Sequence, residues 1–108
     1  MESERRIMTS RYGNIPDTAI VSNIDDLISQ VFKLLPYRED GNEQLDYHFS
    51  SVLFRIEGMS ELFPDTSEFV TVLSLLQAAQ NELCFRLYRK AILDSCAILK
   101  KIQENINE

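Results

Sequence analysis

The sequence predicts an all-α fold, an up-and-down bundle of three to four helices behind a flexible N-terminal tail. Three observations point there. Apolar residues recur every three or four positions through most of the chain, the mark of helices with one buried face. Pro16, Pro36, Pro64 and the Asp40-Gly41 pair divide that pattern into helix-sized pieces. No alternating β-branched run is convincing as a strand, and there is no internal repeat or low-complexity segment. The 108 residues, 44% hydrophobic and 26% charged, have the size and composition of one globular domain that buries a core without staples.

Residues 1–16 are charged and poor in apolar side chains, which predicts a flexible tail with Ile7, Met8 and Tyr12 as docking points. The remaining residues, 17–108, form a single helical domain. Its first helix carries Ile24, Leu27, Ile28, Val31, Phe32 and Leu35 on one face. Ser22 and Asp25 have capping-box spacing, yet Ile20 and Val21 share the same phase, so the helix starts as early as Asp17. Pro36 stops it. Residues 37–42 form a loop that turns at Asp40-Gly41, with Asn42 or Asp40 as cap for the next helix.

The second helix buries Leu45, Phe49, Val52, Leu53, Ile56, Met59, Leu62 and Phe63, and ends at Pro64. Gly58 interrupts it at a cost of about 1 kcal/mol relative to Ala, which predicts a close helix crossing at that point. Asp65 and Glu68 repeat the capping spacing before a third helix with Phe69, Val70, Val72, Leu73, Leu76 and Ala79 inside. A fourth helix runs to about Ile106. Phe85, Tyr88, Ile92, Ser95, Leu99, Ile102 and Ile106 form its heptad-like seam, and Cys84, Leu87, Ala91 and Ile98 a second stripe. No Gly or Pro separates the last two helices, but the stripe loses phase around Gln80–Glu82, so a break near Asn81 is expected. A fourth helix apolar nearly all round belongs at the centre of the bundle, with homodimerisation as the second use of its surplus surface.

Charge divides the chain. Residues 1–81 hold six Lys/Arg against thirteen Asp/Glu, whereas residues 82–101 hold five against two. The net charge of −6 and pI near 4.7 argue against direct binding of nucleic acid or of an anionic membrane, whose charge repels such a protein. No stretch approaches the ~20 apolar residues of a membrane span, and Met1–Arg11 lacks the apolar run of a signal peptide, so a cytoplasmic protein is expected. If Cys84 and Cys96 lie on one helix they are about 18 Å apart, too distant to bridge unless the helix breaks between them, and they read as reduced, largely buried thiols.

Residues with chemistry in them are few. His48 is the lone histidine. Its neighbours Asp46, Ser50 and Ser51 do not make a triad, because residues two apart on a helix do not meet, and a surface or boundary position on the second helix is expected. Asp40, Asn42, Gln44 and Asp46 alternate like early calcium-loop ligands. That loop then needs Gly at its sixth position and Glu at its twelfth, where Leu45 and Ser51 stand. There is no C-x-x-C, no i, i+4 histidine pair, no Glu-x-x-His and no glycine-rich phosphate loop. No catalytic residue, metal or cofactor is therefore assigned, and the chain is not read as an enzyme.

What remains is surface. Arg86, Arg89 and Lys90 surround Leu87 and Tyr88 in a mixed basic and apolar segment, the first candidate for partner binding. Asp25, Asp26, Glu39, Asp40, Glu43, Asp46, Glu57 and Glu61 are the second, an acidic face if they converge. The expected function is protein–protein binding by an adaptor, regulator or inhibitor. In its sharpest form this is an acidic mimic in the nucleic-acid groove of an enzyme, as anti-restriction and anti-CRISPR inhibitors act. The alternative is a small-ligand- or metal-binding bundle with His48 and nearby carboxylates in a cavity.

Overall fold

A computed structural model of the chain describes residues 15–107. The expected tail lies mostly outside the described residues, as do Ile7, Met8 and Tyr12; Ile15 packs against the core. The described chain forms α1 (Asp17–Phe32), α2 (Leu34–Glu39), α3 (Leu45–Leu62), α4 (Glu68–Gln80) and α5 (Phe85–Asn107), with no strand among these residues. Four of them are long, and they make the up-and-down bundle that the periodicity predicts.

The helix α5, expected at the centre, instead occupies one corner of the bundle, packed along both α1 and α4. Two contacts fix its direction against α1: Cys96 reaches Ile28 and Gln103 reaches Val21, so the two helices run antiparallel. The helix α3 packs along α4 and more lightly on α1, which leaves α3 and α5 at diagonal corners. The short α2 closes one end against α3 and α5. Ile24, Ile56, Val72, Ile92 and Leu99 come from all four long helices and are completely buried. Each such side chain contributes roughly 1.5–3 kcal/mol by leaving water, which is what holds the helices together. Along α5, Tyr88, Ile92, Ser95, Leu99, Ile102 and Ile106 are buried as the heptad spacing requires. Ser95 is accommodated because its hydroxyl donates to the Ala91 carbonyl at 2.8 Å.

The break expected near Asn81 is present: α4 ends at Gln80 and α5 begins at Phe85. Cys84 therefore lies before the helix and is exposed rather than buried, whereas Cys96 is half-buried. Pro36 acts differently from expectation. It lacks the N–H that would bond Phe32, and its ring crowds that carbonyl, so α1 ends there. Helical structure then resumes in α2, where Pro36 sits in the first turn and its missing donor costs nothing. Residues 37–39, expected in a loop, are consequently helical. The turn itself follows prediction. Gly41 adopts φ 65°, the Asn42 N–H donates to the Tyr37 carbonyl and the Gly41 N–H to the Arg38 carbonyl, the paired bonds of a Schellman motif. Asn42 then accepts from the Gln44 N–H at 2.7 Å, leading into α3.

Several local expectations fail for identifiable reasons. Ser22 and Asp25 lie inside α1, which starts at Asp17 as the phase of Ile20 allows. Ser67, not Asp65, is the N-cap residue of α4. Phe32 and Val70 are about half exposed, because each stands one residue past a fully buried neighbour, Val31 and Phe69, and is turned away from the core. Gly58 admits no helix among the described residues: a Cβ there would meet nothing of them within 4 Å.

Candidate functional site

The end of the bundle where α1 finishes and α5 starts concentrates unusual features. Of the six large hydrophobic side chains exposed among the described residues, Phe32, Tyr47, Leu83 and Leu87 lie there, which gathers most of that exposed apolar surface at this end. Leu83 is 92% exposed, in the connection between α4 and α5, and Leu87 follows one turn later at 46%.

That connection is held by Arg38 of α2. Its guanidinium donates from Nη1 to the Glu82 carbonyl and from Nη2 to the Leu83 carbonyl, both at 2.8 Å. The same group lies over the Tyr88 ring at 4.3 Å and over Phe85 at 5.7 Å. The planar fork of an arginine can do both at once, donating in its plane while stacking through its face. Glu82 tightens the corner further by accepting from the Cys84 N–H at 3.0 Å. The backbone beneath Leu83 is thus pinned while its side chain points into water. Beside it opens a cleft of about 320 Å³ between Arg38, Asp46, Asn81 and Leu83, floored by Phe49 and Tyr88.

The sequence-predicted basic group is only partly assembled. Arg86, Arg89 and Lys90 are exposed, and Lys90 pairs with Asp94 at 2.7 Å one turn on. Arg86 and Lys90 share a face beside Leu87, whereas Arg89, two residues from Leu87, projects elsewhere. Tyr88 does not belong to any surface: it is 1% exposed, and burial pushes its hydroxyl up to about 12 against the lowering pull of Arg38. Burial likewise pushes the Cys96 thiol up to about 11, leaving it unreactive at neutral pH.

All eight predicted carboxylates are exposed, but they are distributed over α1, the end of α2 and its connection to α3, and α3 itself. Asp26 accepts from Arg55 of α3 at 2.7 Å. Its neighbour Asp25 points toward α5, where Gln103 donates to it at 3.4 Å. His48 has the boundary position expected of it, half-buried with its ring 4.3 Å from that of Tyr37. No group of three or more His, Cys, Asp or Glu among the described residues is placed to hold a metal ion. No helix among them is long and apolar enough to cross a membrane.

Arg38 and Leu83 were not singled out by the sequence. Arg38 acts on residues more than forty positions away, and no local pattern records that. Leu83 carried a weak signal, an apolar residue out of phase at the predicted break. Comparison with protein families, curated proteins and solved structures gives no match. The class defined by the fold is a small all-α bundle, and its geometry alone bears on function.

Proposed function

We propose that this chain is a non-enzymatic binding module that docks on another protein through the Leu83–Leu87 corner. The observation that carries the reading is Leu83, an almost fully exposed leucine on a backbone that Arg38 holds at two consecutive carbonyls. Exposing a leucine gains nothing for folding, and fixing its backbone in advance lowers the ordering cost of association. Leu87 extends the apolar contact along α5, and Arg86 and Lys90 supply a polar, basic rim, the usual anatomy of an interface. Acidic mimicry of nucleic acid is a narrower version of the same class, and no arrangement of the carboxylates favours it over the corner.

The test compares wild type with Leu83→Ser and Leu87→Ser in affinity capture from native lysate, nuclease-treated, with quantification by mass spectrometry. Both positions are exposed, so circular dichroism should be unchanged. A protein retained by wild type and depleted roughly tenfold by either variant, the loss expected of an apolar anchor, supports the reading. A captured set indifferent to both substitutions overturns it.

A further inference from the structure

The outer side of α3 is half of a helix–helix seam. Phe49, Val52, Ile56, Met59 and Phe63 turn inward and are buried. Tyr47 and Phe54, seven residues apart on the opposite side, are 71% and 77% exposed. Seven residues is the repeat at which side chains line up along a seam, here about 10.5 Å apart. Between and beyond the two rings stand Ser50, Ser51 and Gly58, all exposed, so the face alternates aromatic knobs with small residues. Gly58 belongs to it in a telling way: a glycine suited to a close helix crossing has nothing within 4 Å of where its Cβ would be. No helix among the described residues covers the place. The rim is acidic, with Asp46, Glu57 and Glu61 exposed, while Arg55 is turned aside to Asp26 and Asn23.

A surface of opposite character lies on the same molecule. Leu83 in the α4–α5 connection and Leu87 in the first turn of α5 supply exposed apolar side chains, with Arg86 and the Asp94-paired Lys90 beside them. Charge and apolar pattern are complementary: leucines against aromatics, cations against carboxylates. We propose that the outer face of α3 in one copy docks on the Leu83–Lys90 segment of a second copy. This rests on the reading of the Leu83–Leu87 corner as a binding surface and names its occupant as the same chain. The two surfaces lie on different elements, α3 and the α4–α5 connection with the start of α5. The contact is then between unlike surfaces, and two copies either close on each other through a reciprocal pair of such contacts or extend as a chain.

The full chain, followed by sedimentation equilibrium from micromolar to millimolar concentration, should rise from its 12.5 kDa monomer mass to that of a dimer or beyond. High salt should diminish the rise. Phe54→Ser disables the α3 face and Arg86→Glu with Lys90→Glu disables the α5 face; each should hold the chain monomeric. Mixed together, the two variants retain one complete contact and should give a species of twice the monomer mass that goes no further. Tyr47→Ser is a second α3 variant, and all four positions are exposed, so folding is monitored by circular dichroism and preserved. A chain monomeric throughout, or a closed dimer untouched by both sets of substitutions, overturns the self-docking. If a foreign protein is still lost on Leu83→Ser while the chain stays monomeric, self-docking alone falls and the binding corner stands. If neither is seen, both fall.

Discussion

The Tyr88 hydroxyl donates a 2.6 Å hydrogen bond to the carbonyl oxygen of Leu34, joining α5 to the start of α2 through the interior. Leu34 and Arg38 are four residues apart and so share one face of α2. Tyr88 is accordingly gripped twice, at its hydroxyl by Leu34 and at its ring by Arg38. The buried tyrosine and the exposed corner are parts of one arrangement, in which the core fixes Arg38 and Arg38 fixes the backbone under Leu83.

Tyr88→Phe removes the hydroxyl and keeps the ring, so it isolates the hydrogen bond. A loss of about 1–2 kcal/mol in urea unfolding is expected, the range for a buried bond whose acceptor loses its partner. A change of only a few tenths would mean that the Leu34 carbonyl is satisfied without Tyr88.

Arg38→Gln removes both bonds to the α4–α5 connection together with the stacking over Tyr88. Stability should fall by about 1–2 kcal/mol. Hydrogen exchange should quicken over residues 82–87 while α1 and the centre of α5 keep their protection. Arg38→Lys keeps the charge without the fork, and should recover little of the protection at the corner. Uniform loosening of the whole bundle would contradict the local role.

Alkaline pH offers an independent measure of how tightly α5 is buried. The Cys96 thiol moves from 9.0 to about 11 on folding and the Tyr88 hydroxyl from 10.0 to about 12, both through burial. Between those values the folded chain holds protons that the unfolded chain has lost, so stability decreases as pH rises. The contribution is complete below pH 9 and gone above about pH 12. Urea midpoints measured across this window should fall steadily. Cys96→Ala should remove the lower part of the slope and Tyr88→Phe the upper part. A flat profile would contradict the burial of both groups.

The helical core was readable in advance because burial in a bundle repeats at the helical period. The seam from Tyr88 to Ile106 and the stripe from Phe49 to Phe63 needed only spacing. The α4–α5 break was readable for the same reason, as a loss of phase. Pro36 was harder, since one residue can end one helix and sit in the first turn of the next, and spacing does not separate the two. The corner was the least legible. Periodicity counts Tyr88 as apolar and places it on a face, but it cannot say that Arg38 folds back over its ring. Leu83 illustrates the complement: a residue that fits no buried stripe is where an exposed apolar anchor should be sought.

Gly58→Ala separates what folding wants from what the α3 surface does. Gly58 lies within α3, is exposed, and has open space where a methyl group would stand. Alanine should therefore stabilise the chain by about 0.5–1 kcal/mol, through better helix propensity and a less flexible unfolded state. That corresponds to an increase in Tm of a few degrees for a domain of this size. If α3 receives the corner of a second copy, the same methyl group stands on the seam between Phe54 and Glu61 and holds the incoming helix away. Self-association should then weaken while stability rises, two effects of opposite sign from one carbon atom. A stabilising replacement does not by itself assign a purpose to the glycine, since natural chains rarely sit at their stability optimum, and the sedimentation profile of Gly58→Ala is what shows whether close approach matters there. Unchanged association would remove Gly58 from the seam; a loss of stability would mean that α3 needs the flexibility of glycine for its own path.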